Sequence, residues 1–207
     1  MSVFAYRTIE RPAEGNYKEK GSKFIAFACP VTSQLEIKRK VEELKEEYFD
    51  ARHHCFAWML GADFKNFRAF DDGEPNHSAG DPILGQIRSK GVTNILIVVV
   101  RYFGGTKLGV GGLINAYKTA AEDALNNASI VEREITEYFI FNFDYVLTSD
   151  IMRLIKEFNL TINYQTFGES CDVEIAVPLA IKEKLTGRLE LMQAIGKQVT
   201  WKIKPAS

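Results

Sequence analysis

The chain has 207 residues, 46% of them apolar and 26% charged, and carries a net charge of −1. These proportions support an ordinary globular core and exclude a compositionally disordered chain. Near-neutral charge also excludes a protein that is basic over its whole surface, so any nucleic-acid binding must be local.

In chain order, Val3 to Ile9 and Lys23 to Val31 read as strands around a turn at Gly15-Asn16. The N-terminus lacks a basic start followed by an apolar stretch, so no signal peptide is expected. Ser33-Gln34-Leu35-Glu36 is a capping box, and Ile37, Val41, Leu44 and Tyr48 make one apolar stripe, which predicts a helix. Ala51 to Leu60 reads as a strand, and the polar stretch from Gly61 to Gly80 mostly as a loop. A short helix is expected over Pro82 to Ser89. The unbroken apolar run from Asn94 to Val100 suits a strand covered on both faces. That run is too short to span a bilayer. A glycine-rich loop, Gly104 to Gly112, then leads into a helix from Leu113 to Asn127.

Beyond Thr136 the pattern changes. Tyr138 to Val146 alternates like a strand, Ser149 to Phe158 is helical, and Leu160 to Phe167 and Cys171 to Pro178 flank a Gly168-Glu169 turn. A helix over Leu179 to Leu191 and a strand over Gln198 to Lys204 complete a βαββαβ order. The expected fold class is therefore α+β in two domains, residues 1–134 and 135–207, with Glu132-Arg133-Glu134 as a polar joint. Cys29, Cys55 and Cys171 are odd in number, widely spaced and without a C-x-x-C pair, which points to a reducing compartment and no disulfide framework.

Residues with chemical potential concentrate in the first domain. The glycine loop follows a buried strand and opens a helix, where backbone N–H groups and the helix dipole favour an anion. It is neither a P-loop nor a dinucleotide fingerprint. Its candidate phosphate-binding residues are Arg101, Tyr102, Gly104, Gly105, Lys107, Gly109, Gly111, Gly112, Lys118 and Arg68. A tight strand-to-helix turn explains the same glycines without a ligand. Asp71, Asp72 and Glu74 supply hard oxygen ligands for a cation, and His53, His54 and His77 could add nitrogens. Adjacent strand residues face apart, however, so His53 and His54 cannot easily share an ion, and no metal site or cofactor is assigned. Capping of turns by Asp71 and Asp72, with salt bridges from them to Arg68 or Arg101, is the competing reading. No catalytic residue is assigned, since no nucleophile elbow is present. Residues 51–118 hold eight Lys/Arg against five Asp/Glu, a local balance of +3, whereas residues 119–207 hold nine against thirteen. Among the nearby aromatics, Tyr102 is expected to be exposed, and Phe70 and Phe103 to be core.

The stretch Asp71-Asp72-Gly73-Glu74-Pro75 with Ala79-Gly80 and Pro82, the run from Val98 to Leu113, and Ala116-Tyr117 closely resemble the Impact/YigZ family. Lys20 to Ile25 and His53-His54-Cys55 fit as well, while Asn76-His77-Ser78 departs from the family pattern. The resemblance implies a ribosomal protein S5 domain 2-like fold followed by a ferredoxin-like fold, a tandem similar to domains IV and V of the ribosomal translocase. In eukaryotic relatives it implies translational regulation, partly through an additional N-terminal domain. Three functional readings stand. The first is a cytoplasmic RNA- or ribosome-binding protein in translation or its regulation. The second is a nucleotide- or phosphate-ligand enzyme using the glycine loop, and the third is a protein-interaction adaptor. The sequence does not determine the oligomeric state.

Overall fold

A computed structural model describes residues 4–168 and 170–204, so the expected turn at Gly168-Glu169 lies partly outside the described residues. The chain is a mixed α/β protein that divides into two units, Ala5–Arg133 and one that joins Phe4 to the residues from Glu134 onward.

In the first unit, strands β2 (Ala13–Glu19), β3 (Ser22–Pro30), β4 (His53–Leu60), β5 (Asn66–Phe70) and β6 (Ile95–Tyr102) form one sheet in the order β2-β3-β6-β4-β5. All its pairings are antiparallel. Strand β6 is central, which explains its unbroken apolar run. Ile95, Ile97 and Val99 join the core under helices α2 (Gly80–Lys90) and α3 (Gly109–Asn126). Leu96, Val98 and Val100 join a second core under helix α1 (Gln34–Glu47). Strand alternation thus sends neighbouring residues into different layers. Strands β1 (Ala5–Ile9) and β7 (Ile130–Glu134) pair separately, so the expected polar joint is part of a strand.

Gly15-Asn16 is not a turn but the middle of β2, and the reversal falls at Lys20-Gly21, where φ is 47° and 80°. Gly15 serves close packing instead, since a Cβ there would lie 2.2 Å from the Ala124 amide nitrogen of α3. The expected loop of residues 61–80 contains β5, an exposed edge strand whose sequence lacks a clean alternation.

The second unit runs β8 (Thr136–Asp144), α4 (Thr148–Glu157), β9 (Thr161–Thr166), β10 (Ser170–Pro178), α5 (Leu179–Ala194) and β11 (Val199–Ile203). The four strands are ordered β11-β8-β10-β9, and every pairing is antiparallel. Phe139, Phe141, Phe143, Val173 and Ile175 lie on one sheet face with Ile151, Leu154, Leu185 and Leu189 of the helices, in a separate core. Among the described residues no helix is long and apolar enough to cross a membrane.

Candidate phosphate-binding cleft

The end of β6 and the start of α3 frame a cleft of about 480 Å³ in the first unit. One wall is Lys107, Leu108, Gly109, Val110 and Leu113, from the β6–α3 connection and the first helical turn. The opposite wall is Arg52 and His53 at the head of β4 with Gly73, Glu74 and Pro75 of the acidic loop. Arg101 and Phe103 close it at the end of β6.

Helix α3 starts without a capping side chain, and its first turn holds no acidic residue. The amides of Leu108, Gly109, Val110 and Gly111 therefore carry the usual unpaired donors of a helix start, with the positive end of its dipole. Helix α1 differs, since Ser33 Oγ accepts from the Glu36 amide and Glu36 Oε2 accepts from the Thr32 amide. The glycine loop is shorter than expected. Gly109, Gly111 and Gly112 belong to the helix, while Gly104 and Gly105 precede it. Gly104 has a structural reason to be glycine, because a Cβ there would lie 1.9 Å from the Gly21 carbonyl carbon.

Beneath the cleft lies a buried polar network. Arg101 is 6% exposed, and its Nη1 donates to Glu74 Oε1 at 2.5 Å. Tyr117 donates its hydroxyl to the same oxygen at 2.8 Å. Cys55 Sγ lies 2.9 Å from the Asp71 carbonyl and 3.3 Å from the Tyr117 hydroxyl. Burial pushes both the Cys55 thiol and the Tyr117 phenol far above their usual values, so both stay protonated. Cys55 is thus no thiolate nucleophile. The Arg101 guanidinium sits between Phe24 and Phe103, 5.5 and 5.7 Å from the ring centroids.

The histidines part as strand geometry requires. His53 faces the cleft, and its Nδ1 lies 2.8 Å from the Asp72 carbonyl oxygen. A carbonyl only accepts, so Nδ1 carries the proton. His54 is buried, and its backbone amide donates to Asp72 Oδ2 at 2.7 Å. Burial lowers its pKa, mainly by desolvation, while Asp72 opposes the shift. Asp71 accepts from three backbone amides, those of His77, Ala79 and Gly80. The two aspartates thus organise their loop and the start of α2. The partner of Arg101 is Glu74 rather than either aspartate. Among the described residues no cluster of three or more His, Cys, Asp or Glu side chains is arranged to hold a metal ion.

The residues expected to touch phosphate do not form one patch. Arg101, Lys107 and Gly109 line the cleft, with Gly111 and Gly112 in the adjoining helical turn. Tyr102 lies on the opposite sheet face, half-buried, with its hydroxyl donating to Asp50. Arg68 lies beside Trp58 and α1, away from the cleft. Lys118 is exposed on α3 but does not line the cleft. The aromatic expectation is reversed, because Phe70 and Phe103 are exposed at 37% and 43%. Arg52 and Leu108 were missed as site residues. Arg52 could have been found from its place directly before His53, whereas Leu108 gives no local signal.

The Impact N-terminal domain family matches residues 20–125. The chain is similar to the IMPACT family member YigZ of Escherichia coli, at 35% identity over 82% of this chain and 84% of that one. It is also similar to the IMPACT family member YvyE of Bacillus subtilis, at 30% identity over 84% and 81%. A crystal structure of a hypothetical protein superposes over 100% of this chain and 99% of its own, with a TM-score of 0.75 and 27% identity.

Proposed function

This chain belongs to the Impact family, and from that premise we propose that its first unit binds RNA through backbone phosphates, as a cytoplasmic protein acting on ribosomes or in translational control. One observation carries the reading. The uncapped start of α3 opens into a cleft flanked by Arg52 and Lys107. Free helical amides and two cations suit an anion, and the exposed ring of Phe103 offers a base a stacking surface. The antiparallel βαββαβ unit supports assigning a ferredoxin-like second domain, and the first unit is assigned as ribosomal protein S5 domain 2-like, the tandem of the ribosomal translocase.

Binding of single-stranded RNA, followed by fluorescence anisotropy across a salt series, tests this. Each neutralised phosphate contributes a slope of about −0.7 in log affinity against log salt. Arg52→Ala with Lys107→Ala is expected to flatten the slope by about 1.4. An unchanged slope and affinity would remove the cleft from the binding surface. The cleft volume also favours a second reading, a small phosphorylated ligand, since such sites run from about 300 to 1,000 Å³. Thermal shift with ATP and GTP, each with Mg²⁺, checks that reading.

A further inference from the structure

The cleft has two chemically different ends. Its rim carries Arg52, Lys107 and the free amides of α3, which suit an anion. Its floor is the Glu74–Arg101 pair, in which the guanidinium balances the carboxylate and weakens its repulsion of an anion at the rim. Glu74 is underused as an acceptor. Arg101 and Tyr117 both donate to Oε1, and among the described residues nothing donates to Oε2. The Glu74 side chain is only 4% exposed, yet the residue forms part of the cleft wall. The Nε of Arg101 is fully enclosed without a partner. Oε2 itself is not fully enclosed, so water or a ligand donor in the cleft can reach it. His53 does not serve, because its Nε2 lies 3.9 Å from Oε1, beyond hydrogen-bond reach, and its Nδ1 is turned to the Asp72 carbonyl.

The matching ligand therefore brings a hydroxyl donor close beside an anion. A ribonucleotide within a chain has both, a 2′-hydroxyl next to its 3′-phosphodiester, whereas a deoxyribonucleotide has only the phosphate. Resting on the RNA-binding reading above, we infer that Glu74 Oε2 accepts the 2′-hydroxyl of a ribonucleotide whose phosphate lies on the α3 amides and Lys107. The cleft then distinguishes RNA from DNA at that nucleotide.

The test compares three labelled single strands on the full chain: a short oligouridylate, the same oligomer in 2′-deoxy form, and the same oligomer with 2′-O-methyl groups. The methylated strand keeps the 2′ oxygen but cannot donate. The ribose strand is expected to bind about tenfold more tightly than either of the others, as loss of one hydrogen bond to a charged acceptor implies. Glu74→Gln is expected to shrink that preference, although the comparison of strands stands without any substitution. Equal affinity for all three strands overturns the 2′-hydroxyl assignment while leaving phosphate binding intact. Absence of binding to all three overturns both readings.

Discussion

Glu74 and Arg101 illustrate what burial does to a charged residue. Each neutralises the other in a site that is nearly closed to water, with side-chain exposures of 4% and 7%. Removing one partner strands the other charge, which costs about 3–5 kcal/mol. Arg101→Met is expected to lose stability on that scale in urea unfolding, and adding Glu74→Gln should recover part of it because the two positions are coupled. An additive double mutant would show that the pair does not act as a unit. His54 gives a second prediction. Its pKa is depressed by burial, so the neutral ring stabilises the fold above the unfolded value of 6.5. As pH falls below that value the unfolded chain takes up the proton first, and stability is lost. His54→Leu is expected to reduce the fall in Tm between about pH 7.5 and about pH 5.5. A fall as steep as in the unsubstituted chain would assign the acid sensitivity to other groups. These roles were only partly legible. The Asp71 to Pro75 stretch is conspicuous in the sequence, but nothing local pairs Glu74 with a residue 27 positions away or Cys55 with Tyr117, 62 positions away.

At the level of elements, legibility followed periodicity. Helix α1 announces itself through its capping box and the buried stripe of Ile37, Val41 and Leu44. Strand β6 does so through a run buried on both faces. Strand β2 does not, because Lys18 and Glu19 give it a polar, edge-like pattern and Gly15 imitates a turn. That glycine is required by the approach of α3. Gly15→Ala is expected to destabilise by about 1–3 kcal/mol, the usual cost of overpacking. The contrast is Gly187, inside α5, where an added Cβ meets nothing within 4 Å. There alanine is expected to stabilise by about 0.5–1 kcal/mol through helix propensity. Chemical denaturation of both variants checks the pair, and a stabilising Gly15→Ala would disprove the packing role.

For the molecule as a whole, each unit has a core of its own. Phe141 is fully buried among the residues of the second. Phe141→Ala is expected to cost about 3–5 kcal/mol. Hydrogen exchange should show lost protection in β8, β10 and β11, with β3, β4 and β6 still protected. Loss spreading equally to β6 would mean that the units do not unfold separately. Net charge conceals a similar division, since residues 51–118 are locally basic and residues 119–207 acidic. By itself the sequence determined the mixed α/β character, most helices and the central strand, because side-chain periodicity and capping chemistry are local. It also singled out the strand-to-helix bend that frames the cleft. Tertiary structure alone decided which marked residues share the cleft. Arg101 and Tyr102 are neighbours on β6, yet the pleat sends them to opposite layers, and only the placement of the helices decides which layer holds the cleft.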